Sequence, residues 1–184
     1  MECLLEKMFD QDNVDKAMFH MLEKKNTTDS TGLELYRLPE FWEINQAFYR
    51  EIVEGECYLC ETVPVFHVQK KNGSLRMLAN IPHIDMLLAR MLYQVLSPVV
   101  NERLSDSCFA FVPGRSIAQL VQRAVNWMEE GRLHCAHMDI ENFFDNIPHE
   151  ALLRRTEEVV SERRILSLLK SFLQVKKCVT GRSR

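Results

Sequence analysis

The residues best suited to catalysis lie in segment 137–149, which reads His-Met-Asp-Ile-Glu-Asn-Phe-Phe-Asp-Asn-Ile-Pro-His. Residues 133–139 are predicted to form a β-strand that ends on Asp139. A strand-end carboxylate is a rigid, hard oxygen ligand of the kind that Mg²⁺ prefers. The chain after the strand can turn back so that the aromatic ring of Phe144 lies beside Asp139 and forms the floor of a pocket for the sugar. The pattern therefore indicates phosphoryl transfer with two metal ions, and a strand end with a helix-capping acid is the alternative.

Basic side chains cluster at a predicted β-hairpin over residues 63–80. An Asn-Gly pair at 72–73 is a strong turn signal between two short strand-like segments. Lys70, Lys71 and Arg76 flank this turn, where they can bring positive charge onto a triphosphate. A solvated basic turn explains the same residues equally well.

A third group is the Pro-Gly-Arg-Ser sequence at 113–116. It predicts a turn that leads into a helix capped by Ser116. Arg115 then lies near a helix N-terminus, a position that favours phosphate. The group is a weak signal alone, and the order and spacing of all three groups strengthen it.

The spacing of apolar residues predicts the body that must position these groups. Helices are predicted over residues 12–25, 39–55, 84–97, 116–131, 148–160 and 161–174, the last capped by Ser161. The predicted buried faces are Phe41, Ile44, Phe48 and Ile52 in the second helix, and Leu120, Val121, Ala124, Trp127 and Met128 in the fourth. Residues 175–180 are predicted to start a strand whose partner lies outside the chain. The predicted fold is α+β, a helix-rich body with a projecting hairpin.

The charge of the chain is unevenly distributed, although its net value is only −3. Residues 1–66 hold 14 acidic and 6 basic side chains, whereas residues 67–184 hold 12 acidic and 17 basic ones. The basic half can face an anionic partner while the acidic half faces solvent. A mixed, solvated surface is the alternative.

Cysteine usage and hydropathy indicate a cytoplasmic protein. Of the six cysteines, only Cys57 and Cys60 have ligand-like spacing, and no second pair completes a zinc site. Unpaired thiols fit a reducing compartment. Apolar runs fall short of the roughly 20 residues that span a bilayer, so we expect no membrane partner.

Three motifs carry a resemblance to a known family. Phe-Val-Pro-Gly-Arg-Ser at 111–116 resembles the Phe-Arg-Pro-Gly-Arg-Ser motif of the group II intron-encoded reverse transcriptases and their bacterial relatives. Residues 138–149 resemble the family's first catalytic-aspartate motif, and residues 70–76 resemble its fingers hairpin. The resemblance covers about residues 12–175.

The resemblance implies a fold and an activity. Residues 1–115 would form the fingers, with the hairpin and a long helix over about 84–97. Residues 116–184 would form the first part of the palm, with an incomplete antiparallel sheet. The complete enzyme would be an RNA-directed DNA polymerase with two Mg²⁺ ions. Its partners would be an RNA template, a primer, deoxynucleotides and an intron or another structured RNA.

The resemblance also assigns roles to single residues. Asp139 would be the first Mg²⁺ ligand, assisted by the backbone carbonyl of Ile140. Phe144 would be the steric gate that rejects a 2′-hydroxyl. The remaining nucleotide-binding residues would be Asn142 and Phe143 beside the gate, Lys70 and Arg76 on the triphosphate, and Arg115 near the template and nucleotide.

Some residues depart from the family pattern. Val112 replaces the usual Arg, and the family's Asp-Arg pair after Ile81-Pro82 is missing. No Tyr-x-Asp-Asp motif occurs, so we expect the chain to stop before the polymerase site is complete and to catalyse little alone. Two alternatives remain: a non-catalytic, maturase-like RNA-binding lobe, and part of a phage-defence or diversity-generating reverse transcriptase.

Overall fold

The computed structural model describes residues 3–69, 73 and 75–179. In chain order the elements are α1 (Leu4–Phe9), α2 (Gln11–Leu22), a short 3₁₀ helix (Leu35–Arg37), α3 (Leu38–Glu54), β1 (Val63–Gln69), β2 (Leu75–Ala79), α4 (His83–Asn101), α5 (Ile117–Glu129), α6 (Phe143–Asn146), α7 (His149–Glu157), α8 (Arg163–Leu173) and β3 (Lys177–Val179). Most of the predicted helices and the hairpin are therefore confirmed.

Helix α4 lies at the centre of the hydrophobic core. Leu87, Leu88 and Met91 on this helix are fully buried, and α1, α2 and α3 pack around it. Residues from α8 complete the same apolar cluster. The face of α4 that repeats at helical spacing therefore organises the body from which the hairpin projects.

The end of α4 differs from the prediction. The sequence predicted that the helix stops at Ser97-Pro98, but it continues through Pro98 to Asn101. Proline removes one helical N–H donor. Val95 is buried and Val99 packs against the core, so the packing of the last turns offsets the missing bond.

The start of α8 also differs from the prediction. Glu162, and not Ser161, occupies the N-cap position. Its carboxylate accepts hydrogen bonds from the backbone N–H of Leu4 at 2.7 Å and of Leu5 at 3.3 Å. The acid therefore caps the N-terminus of α1, where negative charge is favoured, and joins the start of the described chain to its last helix.

The buried face of α3 is only partly the predicted one, because Phe41 and Ile52 pack against the core but the other two predicted residues do not. Ile44 is 74% exposed and Phe48 is 56% exposed. Leu38, Trp42 and Val53 are buried instead. Trp42 stacks on Phe9 of α1, with ring centroids 6.3 Å apart. The apolar residues of α3 form two overlapping stripes along the helix. The packing of the large Trp42 side chain therefore determines which of the two stripes faces the core.

The three strands form one mixed sheet in the order β2-β1-β3. Strands β1 and β2 are antiparallel, with Gln69 opposite Leu75. Strand β3 is parallel to β1, with Val63 opposite Lys177. The prediction that β3 lacks a partner within the chain was therefore wrong, because its pairing depends on a contact between distant segments.

The predicted strand at residues 133–139 is absent from the described structure. Its residues are exposed and no described segment hydrogen-bonds beside it. Strands need a paired neighbour to satisfy their backbone groups, so apolar alternation alone did not create one. The described sheet is accordingly a mixed three-stranded sheet and not the predicted antiparallel one.

Helix α5 is correctly predicted in position but not in burial. Ser116 caps it through a reciprocal hydrogen-bond pair with Gln119, as the sequence indicated. The predicted buried face is open, however. Leu120, Val121 and Met128 are 41%, 56% and 59% exposed. In the described part of the chain this strongly amphipathic helix therefore has an uncovered apolar face.

Candidate functional site

Asp139 lies in an exposed, extended segment between α5 and α6. Gly131 follows α5 with a φ of +90°, which only glycine adopts readily, and ends the helix. From there the chain runs without helix or strand bonding to residue 140. The carboxylate oxygen Oδ1 of Asp139 accepts a hydrogen bond from the backbone N–H of Ile140 at 2.9 Å. The carboxylate is exposed and accessible to a cation.

A tight turn separates Asp139 from the aromatic pair that follows. Asn142 adopts the left-handed conformation, with φ 49° and ψ 47°, which asparagine tolerates better than most residues. The side-chain amide of Asn146 donates to the carbonyl of Glu141 at 2.9 Å. These two features reverse the chain and hold the single-turn helix α6.

Phe143 and Phe144 lie at the start of α6. Their rings meet edge to face, with centroids 5.4 Å apart. Phe144 is 83% exposed and Phe143 is 47% exposed. Two aromatic side chains therefore stand in solvent directly after the turn that follows Asp139, where they can form one wall of a nucleotide pocket.

Arg115 is engaged within its own loop. Its guanidinium nitrogen Nη1 donates to the backbone carbonyls of Ser105 and Cys108, each at 2.6 Å. Nη2 lies 3.5 Å from Asp106. Arginine has five N–H donors, and here they fold the loop that precedes α5. The predicted contact with template or nucleotide stays a prediction.

Phe111 is an exposed aromatic residue in this same loop. Its ring is 93% exposed, and its φ of 59° lies in the left-handed region that few non-glycine residues adopt. Val112 beside it is buried. The loop thus buries its aliphatic residue and presents its aromatic one.

The hairpin carries one predicted nucleotide-binding residue within the described chain. Arg76 is exposed on β2, opposite Val68 of β1. Gly73 has a φ of +82°, as expected for the predicted turn. Lys70 and Lys71 lie outside the described residues.

A buried polar cluster at the start of α4 was not predicted from the sequence. The Asp29 carboxylate accepts hydrogen bonds from the backbone N–H groups of Thr31 and Leu33, and from that of His83. Burial acts to raise the pKa of Asp29, but these bonds outweigh it and hold the pKa below its ordinary value of 3.8. Asp-x-Thr-Gly at 29–32 is a turn signal, but only the fold could place it against α4.

A second buried polar pair joins Asp85, two residues after His83 on α4, to Tyr58 in the segment between α3 and β1. The Tyr58 hydroxyl donates to the carboxylate of Asp85. Asp85 is only 5% exposed, and this burial raises the pKa of its carboxyl. Burial and the neighbouring Asp85 charge also raise the pKa of Tyr58. The pair is a packing feature of the core beneath the hairpin.

The described residues supply only part of a Mg²⁺ ligand set. No group of three or more His, Cys, Asp or Glu side chains in the described ranges is arranged to hold a metal ion. Mg²⁺ requires near-octahedral oxygen ligands. The Asp139 carboxylate and the Ile140 carbonyl are oxygen donors of the right chemistry, but two donors leave most of that coordination to other groups.

Comparison with known proteins adds a family and a fold. A family model described as "Reverse transcriptase (RNA-dependent DNA polymerase)" matches residues 68–184. Two similar solved structures carry the titles "Partial Cas6-RT-Cas1--Cas2 complex" and "Cas6-RT-Cas1--Cas2 complex". Each matches 97% of this chain with a TM-score of 0.61 and 20% sequence identity. The search of curated proteins found no match.

The matches cover nearly all of this chain but only a small part of the chains in the two solved structures. The chain spans 29% of the first matching structure's chain and 18% of the second's. At 20% identity the likeness establishes a shared fold. Among the described residues, no helix is long and apolar enough to cross a membrane.

Proposed function

Because the chain belongs to the reverse transcriptase (RNA-dependent DNA polymerase) family, we propose that it supplies the fingers and the first part of the palm of an enzyme that copies RNA into DNA. The observation that carries the proposal is the exposed Asp139 carboxylate, placed one tight turn before the exposed Phe144 ring. We propose further that the enzyme is of the group II intron type, on the strength of the motifs at 111–116 and 138–149.

In this proposal Asp139 and Ile140 are the residues of this chain that bind Mg²⁺. The carboxylate of Asp139 and the backbone carbonyl of Ile140 donate oxygen atoms to Mg²⁺. When bound, two such ions position the incoming triphosphate and neutralise its charge. Arg76 and Lys70 add positive charge from the hairpin, which the family match includes from residue 68 onwards.

Phe144 and its neighbours form the sugar side of the site. The ring of Phe144 excludes a 2′-hydroxyl by its bulk, which favours deoxynucleotides. Phe143 packs against it edge to face, and the left-handed Asn142 sets the direction in which both rings leave the turn. Arg115, which organises the loop before α5, shapes the surface near the template.

We propose that polymerase activity requires acidic residues beyond those of this chain. One carboxylate does not hold two Mg²⁺ ions in reacting geometry, and no Tyr-x-Asp-Asp motif occurs in the sequence. Among the described residues nothing covers the apolar face of α5 or pairs with segment 132–140, and both give such acidic residues a surface to pack against. Residues 1–184 alone should therefore show no primer extension.

The experiment for this proposal is primer extension by the full-length protein. The substrates are a DNA primer annealed to an RNA template, the four deoxynucleotides and Mg²⁺. We expect template-directed extension that stops when Mg²⁺ is removed by a chelator. An intact protein that binds the primer–template duplex but never extends it would favour the maturase-like RNA-binding alternative and contradict the proposal.

A defence role is the second candidate, and the titles of the similar structures favour it. Both structures contain a reverse transcriptase assembled with Cas proteins, as their titles state. Affinity purification of the full-length protein from its native cells separates the two candidates. Recovery of intron RNA supports the group II type, whereas recovery of Cas1 or Cas6 proteins supports the defence role.

A further inference from the structure

A groove between α2 and α4 has a chemistry that the polymerase site does not use. Its volume is about 750 Å³. Its walls come from residues 13–23 of α2 and its C-terminal end, residues 90–101 of α4, and Pro113 of the loop before α5. The lining includes aromatic rings, basic side chains and amides, with Glu23 as the single carboxylate among the lining residues.

Two aromatic rings are exposed in this groove. Phe19 on α2 is 67% exposed and Tyr93 on α4 is 48% exposed. Exposed rings of this size are costly to solvate, and flat faces of this kind serve as stacking platforms for unpaired bases. The alternative to a binding site is that Phe19 and Tyr93 are two isolated surface aromatic residues, which are common on proteins.

An ordered arginine distinguishes the groove from an ordinary surface. The Arg90 guanidinium lies over the Tyr93 ring, 5.1 Å from its centroid. Its Nε donates to the side-chain oxygen of Gln94 at 3.2 Å. The Gln94 amide nitrogen in turn donates to the Asn13 side-chain oxygen at 2.7 Å. A chain of hydrogen bonds from α2 therefore holds the planar cation over the Tyr93 ring before any ligand arrives.

Positive charge accompanies the rings. Lys16, His20 and Arg90 line the groove. Lys16 comes from the acidic half of the chain, residues 1–66, and Arg90 from the basic half, residues 67–184. Cations beside stacking rings match the alternating phosphates and bases of a single strand.

We propose that the groove between α2 and α4 binds a single-stranded nucleic acid, with bases stacked on Phe19 and Tyr93 and phosphates neutralised by Lys16 and Arg90. This site is separate from the Asp139 segment and needs no metal ion. Pro113 in the groove wall connects it to the loop that carries Arg115, so a strand held there leads towards the proposed template surface.

The experiment measures binding of short labelled oligonucleotides to the full-length protein by fluorescence anisotropy, without Mg²⁺ or nucleotides. The probes are a 12-nucleotide oligouridylate, an abasic strand of the same length and a blunt RNA duplex. Phe19→Ala and Tyr93→Ala should each weaken binding of the oligouridylate by about 5- to 150-fold, because a lost base stack costs about 1–3 kcal/mol. The abasic strand has no bases to stack, so it should bind equally to the wild type, Phe19→Ala and Tyr93→Ala.

The matched control is Phe48→Ala, which removes a 56% exposed aromatic ring from α3 outside this groove. We expect it to bind the oligouridylate like the wild type. Lys16→Gln should lower the slope of log Kd against log salt by about 0.7, the value for one phosphate contact on a single strand. Arg90→Lys keeps the charge and loses the planar stack, so it should weaken binding without changing this slope.

A cross-linking experiment distinguishes binding in the groove from binding on other basic surfaces of the protein. A strand carrying 4-thiouridine, irradiated in the complex and mapped by mass spectrometry, should label peptides that contain Phe19 or Tyr93. The proposal is overturned if Phe48→Ala weakens binding as much as Phe19→Ala, or if cross-links avoid α2 and α4. Asp139 does not line the groove, so Asp139→Asn should leave this binding intact while it abolishes primer extension, and failure of the proposed function and failure of this proposal are distinguishable.

Discussion

The Asp29 carboxylate accepts a hydrogen bond from the backbone N–H of His83 at 2.6 Å, and so caps the first turn of α4. The ring nitrogen Nε2 of His83 lies 3.0 Å from the carbonyl of Thr27, which adds a second tie to the same loop. Only residues 80–82 separate β2 from α4. The loop at 26–33 therefore fixes the base of the hairpin that carries Arg76.

Replacement of Asp29 by Ala should lower the free energy of unfolding by about 2–3 kcal/mol, because the backbone N–H groups of Thr31, Leu33 and the buried His83 lose a charged acceptor. Asp15→Ala, on the exposed side of α2, is the control and should change little. Urea denaturation at pH 7 measures both. Equal stability of the two variants would contradict a capping role for Asp29.

The contribution of Asp29 to the free energy of unfolding depends on pH, and the direction of its pKa shift determines how. The pKa of Asp29 is lower in the folded state than its ordinary value of 3.8. The stabilisation is therefore present above about pH 3.8 and is lost as the pH falls through the lower folded pKa. Denaturation curves of wild type and Asp29→Ala should converge in strong acid.

Replacement of Asp85 by Asn should have the opposite effect on stability. Burial raises the pKa of Asp85, so the folded state carries a penalty for the charged form that grows above pH 3.8 and is fully present above the raised pKa. An amide can still exchange a hydrogen bond with the Tyr58 hydroxyl. We expect Asp85→Asn to be more stable than the wild type at pH 7 by about 1 kcal/mol, with no difference below pH 3.8.

Tyr58→Phe is the companion variant for this pair. It removes the donor to Asp85 and leaves the carboxylate short of a partner, so it should destabilise the protein at pH 7 by about 1–3 kcal/mol. Thermal unfolding across pH 3–8 measures both variants. A loss of stability at pH 7 in Asp85→Asn as large as that in Tyr58→Phe would contradict a desolvation penalty.

Arg115→Lys should loosen the loop before α5. Lysine keeps the charge but does not reach the Ser105 and Cys108 carbonyls with one planar group. Hydrogen exchange of residues 105–115 should become faster, and the nucleotide KM should stay unchanged if the role of Arg115 is confined to the loop. A rise in KM without faster exchange would instead indicate direct contact with the nucleotide.

The sequence predicted those features whose causes are local. Ser116 caps α5 because its hydroxyl and the Gln119 side chain meet within one turn. Gly73, with a φ of +82°, similarly lies at the turn that its local sequence predicted. In both cases the residues that decide the structure are close neighbours in the chain.

Features that depend on distant partners could not be predicted in the same way. The pairing of β3 with β1 joins residues more than 100 positions apart, and the capping of α1 by Glu162 joins residues 4 and 162. Segment 133–139 has strand-like alternation, but no described strand lies beside it to accept its backbone hydrogen bonds. The residues of the proposed Asp139 site were predictable because a short motif holds them.

Phe144→Ala should relax the selection of the sugar. If the ring excludes the 2′-hydroxyl, its removal should lower the preference for deoxynucleotides over ribonucleotides by about 5- to 150-fold, or about 1–3 kcal/mol. Phe48→Ala, which removes an exposed ring from α3 outside the proposed site, is the control. The ratio of kcat/KM values for the two nucleotides in the full-length enzyme is the measurement, and an unchanged ratio in Phe144→Ala would contradict the gate.

The most direct test of the central claim is Mg²⁺-dependent primer extension by full-length Asp139→Asn beside full-length Glu150→Gln. Asp139 is the proposed metal ligand, whereas Glu150 is an exposed acid in the first turn of α7. Loss of a metal-holding carboxylate removes several kcal/mol of transition-state stabilisation, so extension by Asp139→Asn should fall about a thousandfold, with duplex binding unchanged. Glu150→Gln should extend like the wild type. Extension by Asp139→Asn at the wild-type rate would contradict the assignment of Asp139 to the polymerase site.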